Sequence, residues 1–313
     1  FALGGAALML LNAFPELQLT NEPTALAASF IPYGIPAWAA ATLFFALAAR
    51  RRMKLLAVLT VACLIVQIAW ARTYWPRAAP VSSDDSLIVV SVNLRCDEPA
   101  LIELVPVLVR EQPDIVVFQD FSQEAWDHLQ GTSWSQMLPY HWIEPKDQPL
   151  AAGADPCGTM VFASTPVTLA SSADDPQPVF DVELASGTLT VVPVSLPTVS
   201  EGVDRWLQGF ETLDEAITIH ATTVSDEVLE PMLVIGDFNA TREHLPMRQL
   251  IAEHGLVDAA EQAGAGWLPT FPANRRHPPL VAIDHILMSP GLSASEVTAF
   301  SVRYGAHRVL VAH

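Results

Sequence analysis

Apolar residues occur in two kinds of run along this chain, long ones before position 75 and short ones after it. The first long run, Phe1 to Phe14, is too short for a whole membrane span; no initiator methionine precedes it, so it is expected to be the end of a longer helix. The second, Thr24 to Ala49, has the length to cross about 30 Å of hydrocarbon, with Pro32 and Pro36 expected to kink it. The third, Leu55 to Ala71, lies at the lower limit and ends among the interfacial aromatics Trp70, Tyr74 and Trp75. Residues 1–75 therefore read as a transmembrane anchor of two to three helices, 76–86 as a Pro- and Ser-containing linker, and 87–313 as one large domain.

Within the domain the short runs read as buried strands and the amphipathic stretches as helices. Leu87–Val92 is a strand, followed by a helix over Pro99–Glu111 with Asp97 as cap and Leu101, Leu104, Val105 and Leu108 on one face. Pro106 is expected to kink or stop that helix. Asp114–Phe118 is the next strand, ending in Gln119-Asp120, and Ser122–Leu129 a short helix. Trp134 to Asp155 is irregular and aromatic. Gly158–Ala163 is a strand, Val167–Ser195 supplies two or three more, and Val203 to about His220 is a helix with Trp206, Phe210, Leu213 and Ile217 on its stripe. Met232–Ile235 is a strand ended by Gly236, Leu245–His254 a helix closed by Gly255, and Ile283–Met288 and Arg308–Ala312 two last strands. Strand, helix, strand in that order indicates α/β architecture with right-handed crossovers, and no internal repeat is present.

Charge sharpens the division. Hydrophobic residues make up 51% of the chain and the mean hydropathy is +0.32, high for a soluble protein. Up to position 80 there are six basic and two acidic residues; beyond it ten basic and 32 acidic, a net charge of −22. So acidic a domain repels polyanions, which argues against nucleic acid as partner. The one basic cluster, Arg50-Arg-Arg-Met-Lys54, lies between the second and third runs. The positive-inside rule assigns it to the cytoplasm and everything after Tyr74 to the extracytoplasmic side of a multi-pass cell-membrane protein. A signal peptide starting at Arg50 is the rival reading; two earlier apolar runs and the lack of a small-x-small cleavage site weigh against it. Cys63 falls in a span, and Cys96 and Cys157 are expected to pair outside, the alternative being two buried thiols.

The candidate chemistry centres on Asp237 and Asn239, just past the strand Met232–Ile235. At a spacing of two in extended chain, a carboxylate and a carboxamide point the same way and can bind a cation or orient a phosphate and water. The bland alternative is an Asx turn closing the strand. Six segments in order favour the first reading: Val90-Ser-Val-Asn93, Asp114-Ile-Val-Val-Phe-Gln-Asp120, Gly158-Thr-Met-Val-Phe-Ala-Ser164, Gly236-Asp-Phe-Asn239, Ile283-Asp-His285 and Ala306-His-Arg308. Together they resemble the endonuclease/exonuclease/phosphatase family of metal-dependent phosphoesterases, which includes DNase I-like nucleases and neutral sphingomyelinases, in particular its branch with a multi-span N-terminal anchor. The resemblance implies a four-layer α/β sandwich, two β-sheets face to face with helices outside. It implies that Asn93 and Asp120 hold Mg²⁺ or Mn²⁺, Asp237 positions or deprotonates the attacking water, Asn239 holds a phosphate oxygen, and His307, oriented by Asp284, acts at the scissile phosphate.

Three positions depart from that pattern. Asp120 stands where the family usually has Glu, withdrawing the carboxylate by roughly 1.5 Å, one C–C bond. Ser195 stands where a phosphate-binding His is usual, and Ala306 where an acid precedes the last His. The loss of one such group typically costs about 2–4 kcal/mol of transition-state stabilisation. Two readings follow: an extracytoplasmic metal-dependent phosphoesterase with a weakened site acting on a lipid headgroup or small phosphodiester, or an inactive member serving as an interaction subunit of a membrane or envelope complex. An exposed aromatic stretch at Trp134–Trp142 would favour the second.

Overall fold

The computed structural model describes residues 1–48, 50–81, 86–130, 132–143, 157–172, 175–222, 231–274 and 277–313. Four helices come first: α1 (Ala2–Ala13), α2 (Glu22–Ala28), α3 (Gly34–Leu47) and α4 (Arg51–Trp70), the last continuing as a 3₁₀ turn to Tyr74. Arg51–Tyr74 is the one helix among the described residues long and apolar enough by itself to cross a membrane. It has a mean hydropathy of 2.1 and only 17% of it is buried, unlike the core helix of a globular domain. Leu55, Val58, Leu59 and Ile65 of α4 and Leu43, Phe44 and Leu47 of α3 stand exposed.

The run Thr24–Ala49 is bent, with the break at Ser29–Phe30 just before Pro32. Asn21 caps α2, its side chain accepting from the Thr24 N–H at 3.1 Å, and Glu22–Ala28 meets Ile31–Leu47 at a 65° bend. The segment before the bend lies against the domain. Ala25 is fully buried in a core cluster with Trp206, Phe238 and Met247, and its carbonyl bonds His244 Nε2 at 3.0 Å. Gln18 donates to the Glu243 carbonyl (3.1 Å) and accepts from the Leu245 N–H (2.9 Å). Tyr33 Oη donates to the Leu280 carbonyl (2.9 Å), Tyr74 Oη to Glu243 (2.7 Å), and Arg77 pairs with Glu261 (3.2 Å). The start of the expected linker is thus tied down; residues 82–85 lie outside the described residues.

Twelve strands follow: β1 (Val89–Asn93), β2 (Ile115–Phe121), β3 (Tyr140–Ile143), β4 (Gly158–Ala163), β5 (Val167–Leu169), β6 (Phe180–Leu184), β7 (Gly187–Ser195), β8 (Met232–Asp237), β9 (Val257–Asp258), β10 (Asp284–Met288), β11 (Val297–Phe300) and β12 (Val309–Ala312). They form two six-stranded sheets, ordered β11-β12-β1-β2-β4-β3 and β5-β6-β7-β8-β10-β9. Alternate residues of each central strand serve different layers. Val89, Ile115 and Val117 from one sheet and Leu233, Ile235 and Ile286 from the other share the core between them. Val90, Val92, Val116 and Phe118 pack outward with Leu101, Leu104 and Leu108 of α5 (Glu98–Glu111). Val192, Val194 and Val234 pack outward with Trp206, Phe210 and Leu213. Both faces of each central strand are therefore buried, which is why those strands read as unbroken apolar runs. Two sheets with helices outside are the four-layer sandwich that the resemblance implied.

Several local expectations change. Pro106 lies inside α5 without ending it. The stretch expected to be irregular holds a helix (Trp134–Met137) and β3, while residues 144–156 lie outside the described residues. Its tryptophans are not exposed: Trp134 is buried against Phe118 and Phe162, and Trp142 packs on Phe180 at 4.7 Å, while Tyr140 is 43% exposed. Gly236 does not end its strand but lies within β8, at φ +146°, where a Cβ would meet the Val194 carbonyl oxygen at 2.0 Å. Only glycine lets β7 and β8 approach so closely there.

Candidate active site

The same alternation that fills the inner core delivers the polar site. Continuing the inward-facing positions of β1, β7 and β8 past their apolar residues leads to Asn93, Ser195 and Asp237, and the corresponding position of β10 is Asp284, its first residue. Register aligns them: Asp237 faces Ser195 in the parallel β7–β8 pair and Asp284 in the antiparallel β8–β10 pair. One end of the sandwich therefore gathers side chains from both sheets, without any of them leaving its strand.

Their hydrogen bonds form a chain. Asn93 Nδ2 donates to Asp237 Oδ2 at 3.0 Å, and Asn93 Oδ1 accepts from the Arg95 N–H at 2.8 Å, so the carboxamide is held at both ends. His307 Nδ1 lies 2.9 and 3.1 Å from the two oxygens of Asp284. A carboxylate only accepts, so Nδ1 carries a proton and Nε2 is turned toward Asp237 Oδ2, 3.9 Å away. Phe271 stacks beside the imidazole at 4.8 Å. Asp237, Asp284 and His307 are each no more than 3% exposed.

Burial is the main influence on Asp237: together with the Asp284 charge it raises the carboxyl to about 7, against the opposing pull of His307, the Asn239 N–H and Asn93. Burial alone would lower His307, but the Asp284 and Asp237 carboxylates raise it to about 9. Near neutral pH the pair thus presents an imidazolium beside a carboxyl that holds its proton more tightly than a free aspartate does.

These groups open into a cleft of about 830 Å³, lined by Asn93, Arg95, Asp120, Ser195, Asp237, Asn239 and His307 among others. All six residues expected at the site are brought to one end of the sandwich; Asp284 stands behind His307 and outside the cleft wall. Asn239 reaches the cleft by a different route from the one expected. β8 ends at Asp237, and Asn239 adopts φ +48° with its N–H on Asp237 Oδ1 (2.9 Å) and its Nδ2 on the Leu196 carbonyl (2.7 Å). The Asx turn and the site are the same object. Asp120 sits at a register break of β2 with φ +50°. Cys96 and Cys157 form a disulfide and both line the cleft.

Two contributions escaped the sequence reading. Arg95, exposed at the cleft wall and close enough to His307 to lower its proton affinity, is placed by a left-handed backbone turn (φ +51°) after β1. The N-terminal residues Leu26, Ser29 and Phe30 form part of the cleft wall, although they lie more than 60 positions before Asn93.

The family model of the endonuclease/exonuclease/phosphatase family matches residues 90–303, and the chain belongs to that family. Among solved structures, it is similar to sphingomyelinase C from Streptomyces griseocarneus, at 15% identity and a TM-score of 0.53 over 72% of this chain and 98% of that one. An endonuclease/exonuclease/phosphatase from Beutenbergia cavernae is 20% identical, with a TM-score of 0.51 over 72% and 70%. A mannosyl-6-phosphatase from Bacteroides thetaiotaomicron is 14% identical, with a TM-score of 0.51 over 73% and 99%. At these identities the likeness is one of fold. No curated protein matches the sequence. Members of the family generally use divalent metals, and Asp237, Asp284 and His307 offer ligand atoms all within 4.8 Å of one another.

Proposed function

We propose that this protein is a membrane-anchored phosphodiesterase dependent on Mg²⁺ or Mn²⁺, with its catalytic domain on the extracytoplasmic side. The observation that carries the reading is the buried chain Asn93–Asp237–His307–Asp284, whose first three members line a cleft. The oxygens present fit a hard cation: Asp237 brings a buried carboxylate to the cleft, and Asn93 and Asp120 add amide and carboxylate oxygens on its wall, while His307, protonated, is not a ligand. Asn93 and Asp120 would hold the ion beside Asp237; bound there, it would offset negative charge developing at the phosphate.

The chain's own residues account for the remaining steps. Asp237, held near 7, takes a proton from water as the water oxygen bonds to phosphorus and one ester P–O bond breaks. His307, cationic through Asp284, faces the phosphate and supplies the proton for the departing oxygen. Arg95 contributes positive charge at the mouth, and Asn239, fixed through its Nδ2, is left with an oxygen that orients water. Hydrolysis of bis(p-nitrophenyl) phosphate with Mn²⁺, beside Asp237→Ala, tests the reading; equal background in both rejects it.

Ser195 in register with Asp237, and Ala306 before His307, favour a second reading, an inactive member acting as a subunit of a membrane or envelope complex. The same assay separates the two. The anchor reading is supported by the exposed apolar faces of α3 and α4 and the basic cluster Arg50–Lys54 at the start of α4. Protease access to the domain in intact spheroplasts, and none to Arg50–Lys54, is the expected topology result.

A further inference from the structure

The cleft is not built by the sandwich alone. Leu26, Ser29 and Phe30, from the segment joining α1 to α3, form one part of its wall, together with Pro197–Glu201 and Phe271–Pro272. Leu26 and Phe30 are 44% and 39% exposed, so apolar surface faces open space at the edge of a polar site. The segment is fixed rather than draped there: Ala25 is buried among domain residues, Tyr33 bonds the Leu280 carbonyl, and Gln67 of α4 donates to the Ile31 carbonyl at 2.7 Å. The same segment runs directly into α3, whose Leu43, Phe44 and Leu47 are exposed. Exposed apolar residues therefore stand both on the anchor helices and at the cleft wall, along one stretch of chain, while the domain beyond is acidic and repels polyanions.

We propose that the substrate is an amphiphile, a phosphodiester carried by a lipid in the leaflet that the anchor occupies, and that Leu26 and Phe30 receive its apolar part while the phosphate reaches Asp237 and His307. This rests on the phosphodiesterase reading above and narrows it. Hydrolysis adds one water across a P–O ester bond, leaving one product in the leaflet and releasing the other to solution. A small soluble diester lacks the part that Leu26 and Phe30 would receive, so the anchor wall acts as the specificity element of the site.

The test uses the full chain, with Mn²⁺ and two probes: vesicles of mixed phosphatidylethanolamine, phosphatidylglycerol and phosphatidylcholine, and bis(p-nitrophenyl) phosphate. The expected result is hydrolysis of both by the wild type, and a fall of at least tenfold in the ratio of vesicle to soluble rate in the double variant L26S/F30S. An unchanged ratio overturns the proposal. If the double variant loses both activities, the wild type decides: kcat/KM for monomeric dihexanoyl phosphatidylcholine should exceed that for glycerophosphocholine at least tenfold, and equality overturns the proposal. A wild type that cleaves the soluble diester but no vesicle lipid overturns the lipid substrate and leaves the phosphodiesterase standing. A wild type inert toward every probe overturns both.

Discussion

His307 and His244 are both closed off from solvent, but the first faces two carboxylates and the second faces backbone. His244 Nδ1 accepts from the Thr241 N–H at 2.9 Å, and its Nε2 meets the Ala25 carbonyl. Burial pushes it down to about 4, so it is neutral at ordinary pH. His307, equally hidden, is raised to about 9 by Asp284 and Asp237 and remains a cation. One imidazole is charged beside the cleft, where the proposed reaction would use it, and the other joins the N-terminal segment to the domain; what each faces decides which.

The largest effect expected from breaking this contrast is at the charged end. Asp237→Ala, or removal of divalent metal by chelator, should lower diester hydrolysis at least 1,000-fold, measured as p-nitrophenol release. At the neutral end, His244→Ala strands the Thr241 N–H and the Ala25 carbonyl. It should cost about 2–3 kcal/mol in denaturant unfolding while leaving the rate per folded molecule within a few-fold. Next comes Ser195→His, which restores a ring beside Asp237; a gain of at least tenfold is expected from the phosphodiesterase reading and none from the inactive one.

The smallest effect is the pH slope, and the two histidines give it opposite signs. His307 is raised from 6.5 to about 9, so its contribution is complete below pH 6.5 and is lost as pH rises through 9. His244 is lowered from 6.5 to about 4, so stability falls as pH drops from 6.5 to 4, when only the unfolded chain takes the proton. Asp237 opposes that second limb, because its rise from 3.8 to about 7 makes stability decline as pH increases between those values. Unfolding curves across pH should therefore lose the alkaline decline in His307→Gln and the His244 acid limb in His244→Asn. Each slope is bounded by about 1.4 kcal/mol per pH unit.

The sandwich was legible because its central strands bury both faces, and a run such as Met232–Ile235 then has few other uses. Asp237 was legible because it closes such a run, whereas Asn93 and Asp284 came from the family resemblance, and sheet pairing brings all three together. Arg95 was not legible, since its direction comes from a left-handed residue that no pattern of apolar spacing reveals. In the Thr24–Ala49 run hydropathy registers apolar content alone, and so does not reveal that Ala25 packs on the domain. Asn21-Glu22-Pro23, a cap followed by proline, marks the start of α2.

The ties that hold the N-terminal segment reach far along the chain, with separations of 219 residues for His244–Ala25, 225 for Gln18–Glu243 and 247 for Tyr33–Leu280. On the ribosome the first-made part of the cleft must wait for the last. Leu26 and Phe30 emerge before their seat and stay without it until residues near 244 and 280 have been synthesised. Truncation ahead of those residues would then leave a nascent chain with its walls apart, however well its first strands had paired.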